Sequence, residues 1–316
     1  MPKNKITLAL LTILACSFAL FSFAYAEERG REETLKDQAQ EDALKNQAQE
    51  TPLKNQIQET LELGFKSETW ARIVPSSKVK ASSGKISIID ADNELSYGFE
   101  TPQGMPVHFY FKQRYIGIKN DGISLNLPAY LTQLTLGADA TLPLFWENTY
   151  VRLRVNPSYF GDNWEMHSSA FRIPFQVIGI YKPSDDLIYF AGVAVYPDYR
   201  RQVLPVAGFI SHKWKLNLTP DRPSLTYAVN KMFSLRLEGG ATWDEFELEK
   251  DNASGRVLRY KETHAGLGVT YRPNSWIEIS ALGGEMFGKS LKYRNGDGKV
   301  VIKDSAFSEM RVVIKL

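Results

Sequence analysis

The chain has 316 residues, of which 43% are apolar, 12% aromatic and 23% charged, with a formal net charge of +2 and one cysteine. That much apolar and aromatic content excludes an intrinsically disordered chain, and the slightly negative mean hydropathy excludes a helical membrane protein. The length suits one large β domain, and with no dense Lys/Arg run no nucleic-acid partner is expected.

The first element reads as a secretory signal. Lys3 and Lys5 form a basic start, an apolar run follows from Ile6 to about Phe23, and Ala24-Tyr25-Ala26 supplies a small-x-small cleavage pattern. Residues 1–26 are therefore predicted to be a removed signal peptide. A permanent anchor helix is the rival, because the run approaches spanning length. Cys16, after Ile13-Leu14-Ala15, loosely resembles a lipoprotein signal, but the apolar run continues well past it. Cleavage after Ala26 leaves no cysteine, so disulfides and cysteine chemistry drop out.

Residues 27–63 form an acidic leader with ten acids and five bases. The two signal lysines and this −5 leave +5 for residues 64–316. Three nearly identical nine-residue units lie within it: "LKDQAQEDA" from Leu35, "LKNQAQETP" from Leu44 and "LKNQIQETL" from Leu53. The composition favours helix. At about 100° per residue, however, successive leucines point to opposite sides, and Pro52 interrupts a continuous helix. A part-helical, part-disordered spacer is expected, with a partner-binding or oligomerising segment as the second reading.

From Leu63 the pattern changes to alternation. Ile89, Ala91, Asn93, Leu95, Tyr97 and Phe99 oppose Asp90, Asp92, Glu94, Ser96, Gly98 and Glu100. Val107, Phe109 and Phe111 oppose His108, Tyr110 and Lys112. In "LTLGADATLPLFWENTYVRLRV", Leu134, Leu136, Ala138, Ala140, Leu142 and Leu144 share one face, and after a short polar turn Val151, Leu153 and Val155 oppose Tyr150, Arg152 and Arg154. Phe233, Leu235, Leu237, Gly239, Ala241 and Trp243 oppose Ser234, Arg236, Glu238, Gly240, Thr242 and Asp244. Ala265, Leu267, Val269 and Tyr271 oppose His264, Gly266, Gly268 and Thr270. The chain ends with Met310, Val312, Ile314 and Leu316 on one face. Period-two alternation with one apolar face is the signature of a half-buried strand.

Tight connections are predicted at 101–104, 146–149, 182–186, 211–213, 229–232 and 272–275, and longer polar ones at 119–129, 158–171, 197–203, 250–256 and 293–304. The two kinds largely alternate. About twelve strands are expected, within a range of about ten to fourteen. Residues 70–83 and the Pro-rich stretch 219–227 are the least legible.

A soluble sandwich and a membrane barrel both produce alternation. Export, apolar faces long enough to span a bilayer when tilted, alternating tight and long connections, and a polar face charged with both signs together favour the barrel. The predicted fold is all-β: an antiparallel up-and-down transmembrane β-barrel over residues 64–316 in the cell outer membrane. Asp90, Asp92, Glu94, Lys112, Arg114, Asp139, Arg152, Arg154, Arg236, Glu238 and His264 would line its lumen. Trp146, Tyr150, Tyr181, Tyr189, Tyr271 and Trp276, near strand ends, would sit at the lipid–water interface. The last strand alternates as barrel-assembly machinery requires, although it ends in Leu316 rather than an aromatic residue.

The run "YKPSDDL" (181–187), its echo "YRPNSW" (271–276) and "RPSLTYAVNKMFSL" (222–235) resemble an uncharacterised, domain-of-unknown-function family of Gram-negative outer-membrane β-barrels. The resemblance covers roughly residues 70–316. It implies an outer-membrane barrel and supplies no activity or catalytic residues.

Three other chemistries compete with the lumen. "MHSSAF" puts His167 beside Ser168 and Ser169, and His264 shares a polar face with Glu262. Outer-membrane lipid hydrolases pair Ser with His, but sequence neighbours rarely form a nucleophile–base pair. "DADNE" at 90–94 matches the opening of a calcium loop, yet it lacks the glycine at its sixth position and has Thr101 at its twelfth. No phosphate loop or zinc quartet is present, so no metal and no cofactor is expected. The favoured expectation is a non-enzymatic, porin-like passage for small polar solutes, or a structural membrane protein, with outer-membrane lipid and the assembly machinery as partners. A lipid hydrolase and a secreted soluble β-sandwich binding module are the alternatives. Open and plugged lumens are left as equal expectations.

Overall fold

A computed structural model describes residues 63–316 except 81, 124, 165, 167, 198, 221, 250–256 and 295–297. The expected signal peptide and acidic spacer lie outside the described residues. The remainder folds as a single sheet that closes on itself.

In chain order the strands are β1 (Gly64–Lys78), β2 (Lys85–Glu100), β3 (Pro106–Asp121), β4 (Tyr130–Pro143), β5 (Thr149–Val155), β6 (Ser158–Gly161), β7 (Phe171–Arg172), β8 (Phe175–Ser184) and β9 (Leu187–Val195). Then follow β10 (Val203–Ser211), β11 (Leu216–Leu218), β12 (Ser224–Ala228), β13 (Phe233–Glu247), β14 (Val257–Tyr271), β15 (Ile277–Tyr293), β16 (Lys299–Val301) and β17 (Ser305–Lys315). A single helical turn, η1 (Ser168–Ala170), precedes β7.

Three pairs of these segments continue one another. Both β5 and β6 pair with β4, β7 and β8 pair with β6 and β5, and β16 and β17 pair with β15. Pro157 and Pro174 lie at two of the breaks, where a residue without an amide proton interrupts the ladder. The wall therefore has 14 strands, at the upper limit of the sequence expectation, all antiparallel to their wall neighbours. Pairing of β1 with β17 closes the ring. One closed sheet is not a two-sheet sandwich, and the sandwich alternative falls.

Every predicted tight connection lies at one end of this barrel, together with the start of β1 and the end of β17. The strands that flank each predicted long connection have their facing ends at the other, and the connection expected at 158–171 begins later, because Ser158–Gly161 form β6. Asn148, with φ 57, shows why the "WENT" turn is tight: asparagine tolerates the left-handed region that a short hairpin loop requires.

The two faces of the wall meet different surroundings. Tyr97, Phe109, Leu136, Leu237, Leu267 and Met310 point outward and are each more than half exposed. Their alternates point inward and are mostly buried. Asn93 is a polar exception on the outer face, and the hydroxyl of Thr69 donates to its Oδ1 at 2.8 Å. A satisfied amide is what an apolar exterior tolerates.

Above the middle of the wall the barrel narrows. The top of β13 meets the top of β6 in a single parallel bridge, Glu247 to Gly161. Inside this narrow end sits an apolar core that includes Ile86, Ile116, Leu131, Phe246, Leu258 and Met286. These residues continue the inward parity of the charged ones below them. The sequence leaves open and plugged lumens as equal expectations; at the long-loop end these apolar side chains pack against one another inside the wall. They exclude water where β6 and β13 draw together.

Glycines on the inward face admit large neighbours. A Cβ on Gly137 would lie 2.0 Å from Cζ of Tyr110, its cross-strand partner. The Tyr110 ring covers the glycine, as aromatic residues do at glycine positions in curved sheets. Gly137→Ala should displace the ring and cost about 1–3 kcal/mol, the usual range for overpacking. The same change in a Tyr110→Ala background should be nearly silent in urea unfolding, because the clash is then gone.

Candidate functional site in the barrel lumen

The lumen is layered along its axis. Below the apolar core lies a dense network of buried ion pairs. Arg72 on β1 places Nη1 2.8 Å from Glu262 Oε1 and Nη2 2.5 Å from Glu309 Oε2, while its Nε donates to Glu309 at 2.9 Å. Arg114 on β3 binds both oxygens of Asp90, at 2.9 and 2.7 Å, and spans the lumen to Asp244 of β13 at 2.7 Å. Arg311 on β17 reaches Glu238 at 2.8 Å and Glu309 at 2.7 Å. Tyr260 donates a short hydrogen bond to Glu262. Trp70 is the floor of this layer: the guanidinium groups of Arg222, Arg72 and Arg114 lie 4.8, 5.3 and 6.0 Å from its ring centroid. Stacked cations over an indole face gain from its quadrupole, most where water is excluded.

A second cluster surrounds Asp139 on β4. Arg152 on β5 binds it with two parallel bonds of 2.9 and 2.8 Å, and Arg154 adds a third at 3.3 Å. His108 Nδ1 stands 3.7 Å away. Arg154 also lies over the Tyr110 ring, 5.7 Å from its centroid. Lys112 pairs with Asp92 at 3.2 Å, and Arg236 with Glu238 at 2.7 Å.

The eleven residues predicted to line the lumen thus fall on the inward face of β2, β3, β4, β5, β13 and β14. Sequence reasoning left out Trp70, Arg72, Asp244, Glu309 and Arg311, which complete the network. The terminal strand carries a signal for two of them, since its alternation sets Glu309 and Arg311 opposite Met310 and Val312.

Around the tight-turn end the outer surface bears a ring of aromatic residues. Trp146, Tyr181 and Tyr189 are exposed there, Tyr271 stacks on Phe233 with centroids 4.9 Å apart, and Trp276 lies in the last tight turn before β15. Tyr150 is a correction. It shares the inward face with Arg152 and Arg154, is 9% exposed, and has the Lys182 ammonium 5.9 Å from its ring. Its neighbours in the alternation already place it there.

The other chemistries find little support. His167 lies outside the described residues. His264 is wedged between Arg72, 3.2 and 3.4 Å from its ring nitrogens, and the edge of Phe307. Among the described residues no serine hydroxyl bonds to it. The "DADNE" run is regular β2 paired with β3, and its two aspartates are held by Arg114 and Lys112.

No protein-family model and no curated protein matches the sequence. Among solved structures, an outer-membrane channel from Pseudomonas putida F1 is similar at 13% identity and a TM-score of 0.47, over 80% of this chain and 96% of its own. The KdgM porin is similar at 8% identity and TM-score 0.36, over 79% and 99% of the two chains. LpxR from Salmonella typhimurium follows at 9% identity and 0.37, over 79% and 100%.

Proposed function

We propose that this chain is an outer-membrane β-barrel that passes small polar solutes through its charged lumen, with anions preferred. The tight-turn end is then periplasmic and the aromatic ring marks the inner lipid boundary. An exported chain delivered to the assembly machinery, membership of the uncharacterised barrel family suggested by its turn motifs, and the absence of catalysis all belong to this reading.

One observation carries the preference for anions. In three lumen pairs the cation's side chain keeps accessible surface while the carboxylate is shut away. The side chains of Lys112, Arg154 and Arg236 are 30%, 31% and 21% exposed, and those of their partners Asp92, Asp139 and Glu238 are 3%, 2% and 1% exposed. A solute entering the lumen meets guanidinium and ammonium groups first, so the accessible surface is positive although the pairs are balanced. The buried network above them braces the wall and narrows the route.

The test is ion selectivity. The full chain, refolded in detergent and inserted into a planar bilayer under a KCl gradient, should give a reversal potential on the anion side. Arg152→Glu combined with Arg154→Glu should move it to the cation side. A folded, heat-modifiable barrel with no conductance would sink the passage and leave a structural membrane protein.

A further inference from the structure

The wall is not uniform in height. Between β10, with 9 residues, and β13, with 15, stand only β11 and β12, of 3 and 5 residues. Pro220 and Pro223 explain their brevity, because neither can donate to a ladder and both lie where the two strands would otherwise lengthen. The β10–β11 ladder stops at Phe209 opposite Leu218, and the β12–β13 ladder at Ser224 opposite Glu238, followed by one bond from Gly239 N to Pro223 O.

Above that level, among the described residues, nothing pairs with the free edge of β10 from Val203 to Ala207. Nor, among the described residues, does any strand pair with the facing edge of β13 until Glu247, although Arg172 donates to the Glu245 carbonyl just below it. The gap has a roof. Residues 199–201, ahead of β10, reach across it, with Arg201 4.8 Å from the Trp243 ring centroid and the amide of Arg200 donating to Glu245 at 3.4 Å. Tyr199, packed against Phe160, is buried in this roof. Between floor and roof β13 runs from Gly239 to Trp243, a height of roughly 13 Å at about 3.3 Å per residue.

The gap lies within the apolar band. Outward residues flanking it are Val203, Pro205 and Ala207 on β10 and Gly239 and Ala241 on β13. Open strand edges at that depth are costly unless they line a cavity or carry a guest. The lumen face behind them is also apolar. Ile178, Ile180, Phe190, Leu204, Val206 and Ile210 point inward from β8, β9 and β10 and stay half-buried, so they keep accessible surface inside. The charged side chains lie on β1–β5 and β13–β17, so the β13 rim turns Glu238 to the lumen at the floor of the gap and Asp244 near its roof.

We infer that this gap is a lateral window through which small uncharged apolar molecules pass between the lumen and the outer leaflet. The inference rests on the outer-membrane placement proposed above. An added peptide strand fits worse, since strand addition needs donors and acceptors along the edge and Pro205 removes one from the middle of β10. A small hydrocarbon needs only the Gly, Ala, Pro and Val surfaces that form the rim.

The experiment uses the full chain expressed in a bacterial outer membrane, with uptake of radiolabelled toluene measured beside KCl conductance of the purified barrel. The intact chain should raise the initial toluene uptake several-fold over an empty-vector control. Val206→Trp should cut that gain at least fivefold and leave conductance within twofold. Ala241→Trp, on the exposed opposite rim, should do the same and serves if Val206→Trp does not fold. Removing residues 27–62 should leave uptake unchanged. Uptake at the control level, uptake insensitive to both folded tryptophan variants, a parallel fall in conductance, or a rise on removing 27–62 would each overturn the window. Loss of conductance alone with toluene uptake retained would overturn the polar passage and leave the window standing.

Discussion

Arg72→Ala should be among the most damaging single changes in the barrel. Its side chain is 2% exposed and its guanidinium holds the carboxylates of Glu262 and Glu309, whose side chains are 0% and 1% exposed. Two effects compete in such a site. Burying three charges is expensive, so the intact cluster need not stabilise the fold relative to an apolar one. Removing the arginine alone is different: Glu262 loses its ion-pair partner, Glu309 keeps only Arg311 and the more distant Arg222, and neither acid can reach water, which costs about 3–5 kcal/mol. The expected result is a large fall in the urea midpoint of the detergent-refolded barrel, with loss of heat-modifiable mobility at moderate denaturant. Arg72→Met combined with Glu262→Gln and Glu309→Gln should recover most of the loss, because no unpaired charge remains. Equal midpoints for Arg72→Ala and the intact chain would show that the network does not brace the wall.

Trp70→Ala separates packing from charge in the same layer. Trp70 is 8% exposed and three arginines lie against it. Truncating a buried aromatic residue of this size costs about 3–5 kcal/mol through lost burial and the cavity left behind. The ion pairs of Arg72 and Arg114 survive, since their carboxylates are elsewhere. In the lumen the missing indole has a second consequence. It is the largest side chain in the ion-pair layer, so its loss should raise single-channel conductance as well as lower stability. Lower stability with unchanged conductance would place the narrowest point elsewhere, in the apolar core between β6 and β13.

How far the chain alone reveals this arrangement differs from strand to strand. The alternation in β2, β4, β13 and β14 identifies the inward residues without ambiguity, because a period of two leaves each residue only two directions. Tyr150 shows that the same parity outranks a composition argument, for an aromatic residue near a strand end is interfacial only on the outward face. The stretch 70–83 is harder. Trp70, Arg72 and Val74 alternate with Ala71 and Ile73, so polar and apolar residues occur on the inward face together. Alternation of that kind becomes readable only when the inward face is known to hold both a charged layer and an apolar layer.

The sequence by itself determined which face of the wall each residue of the clearly alternating strands takes and the end at which each connection lies. These are local consequences of side-chain period, set by neighbours in the chain. Tertiary structure alone decided which charges meet. Arg114 and Asp244 are 130 positions apart and come together only because the ring closes and narrows between β6 and β13. It also decided that the free edges of β10 and β13 face one another across a gap. A strand's partner depends on the length of every strand between, and that is fixed only when the whole wall has been assembled.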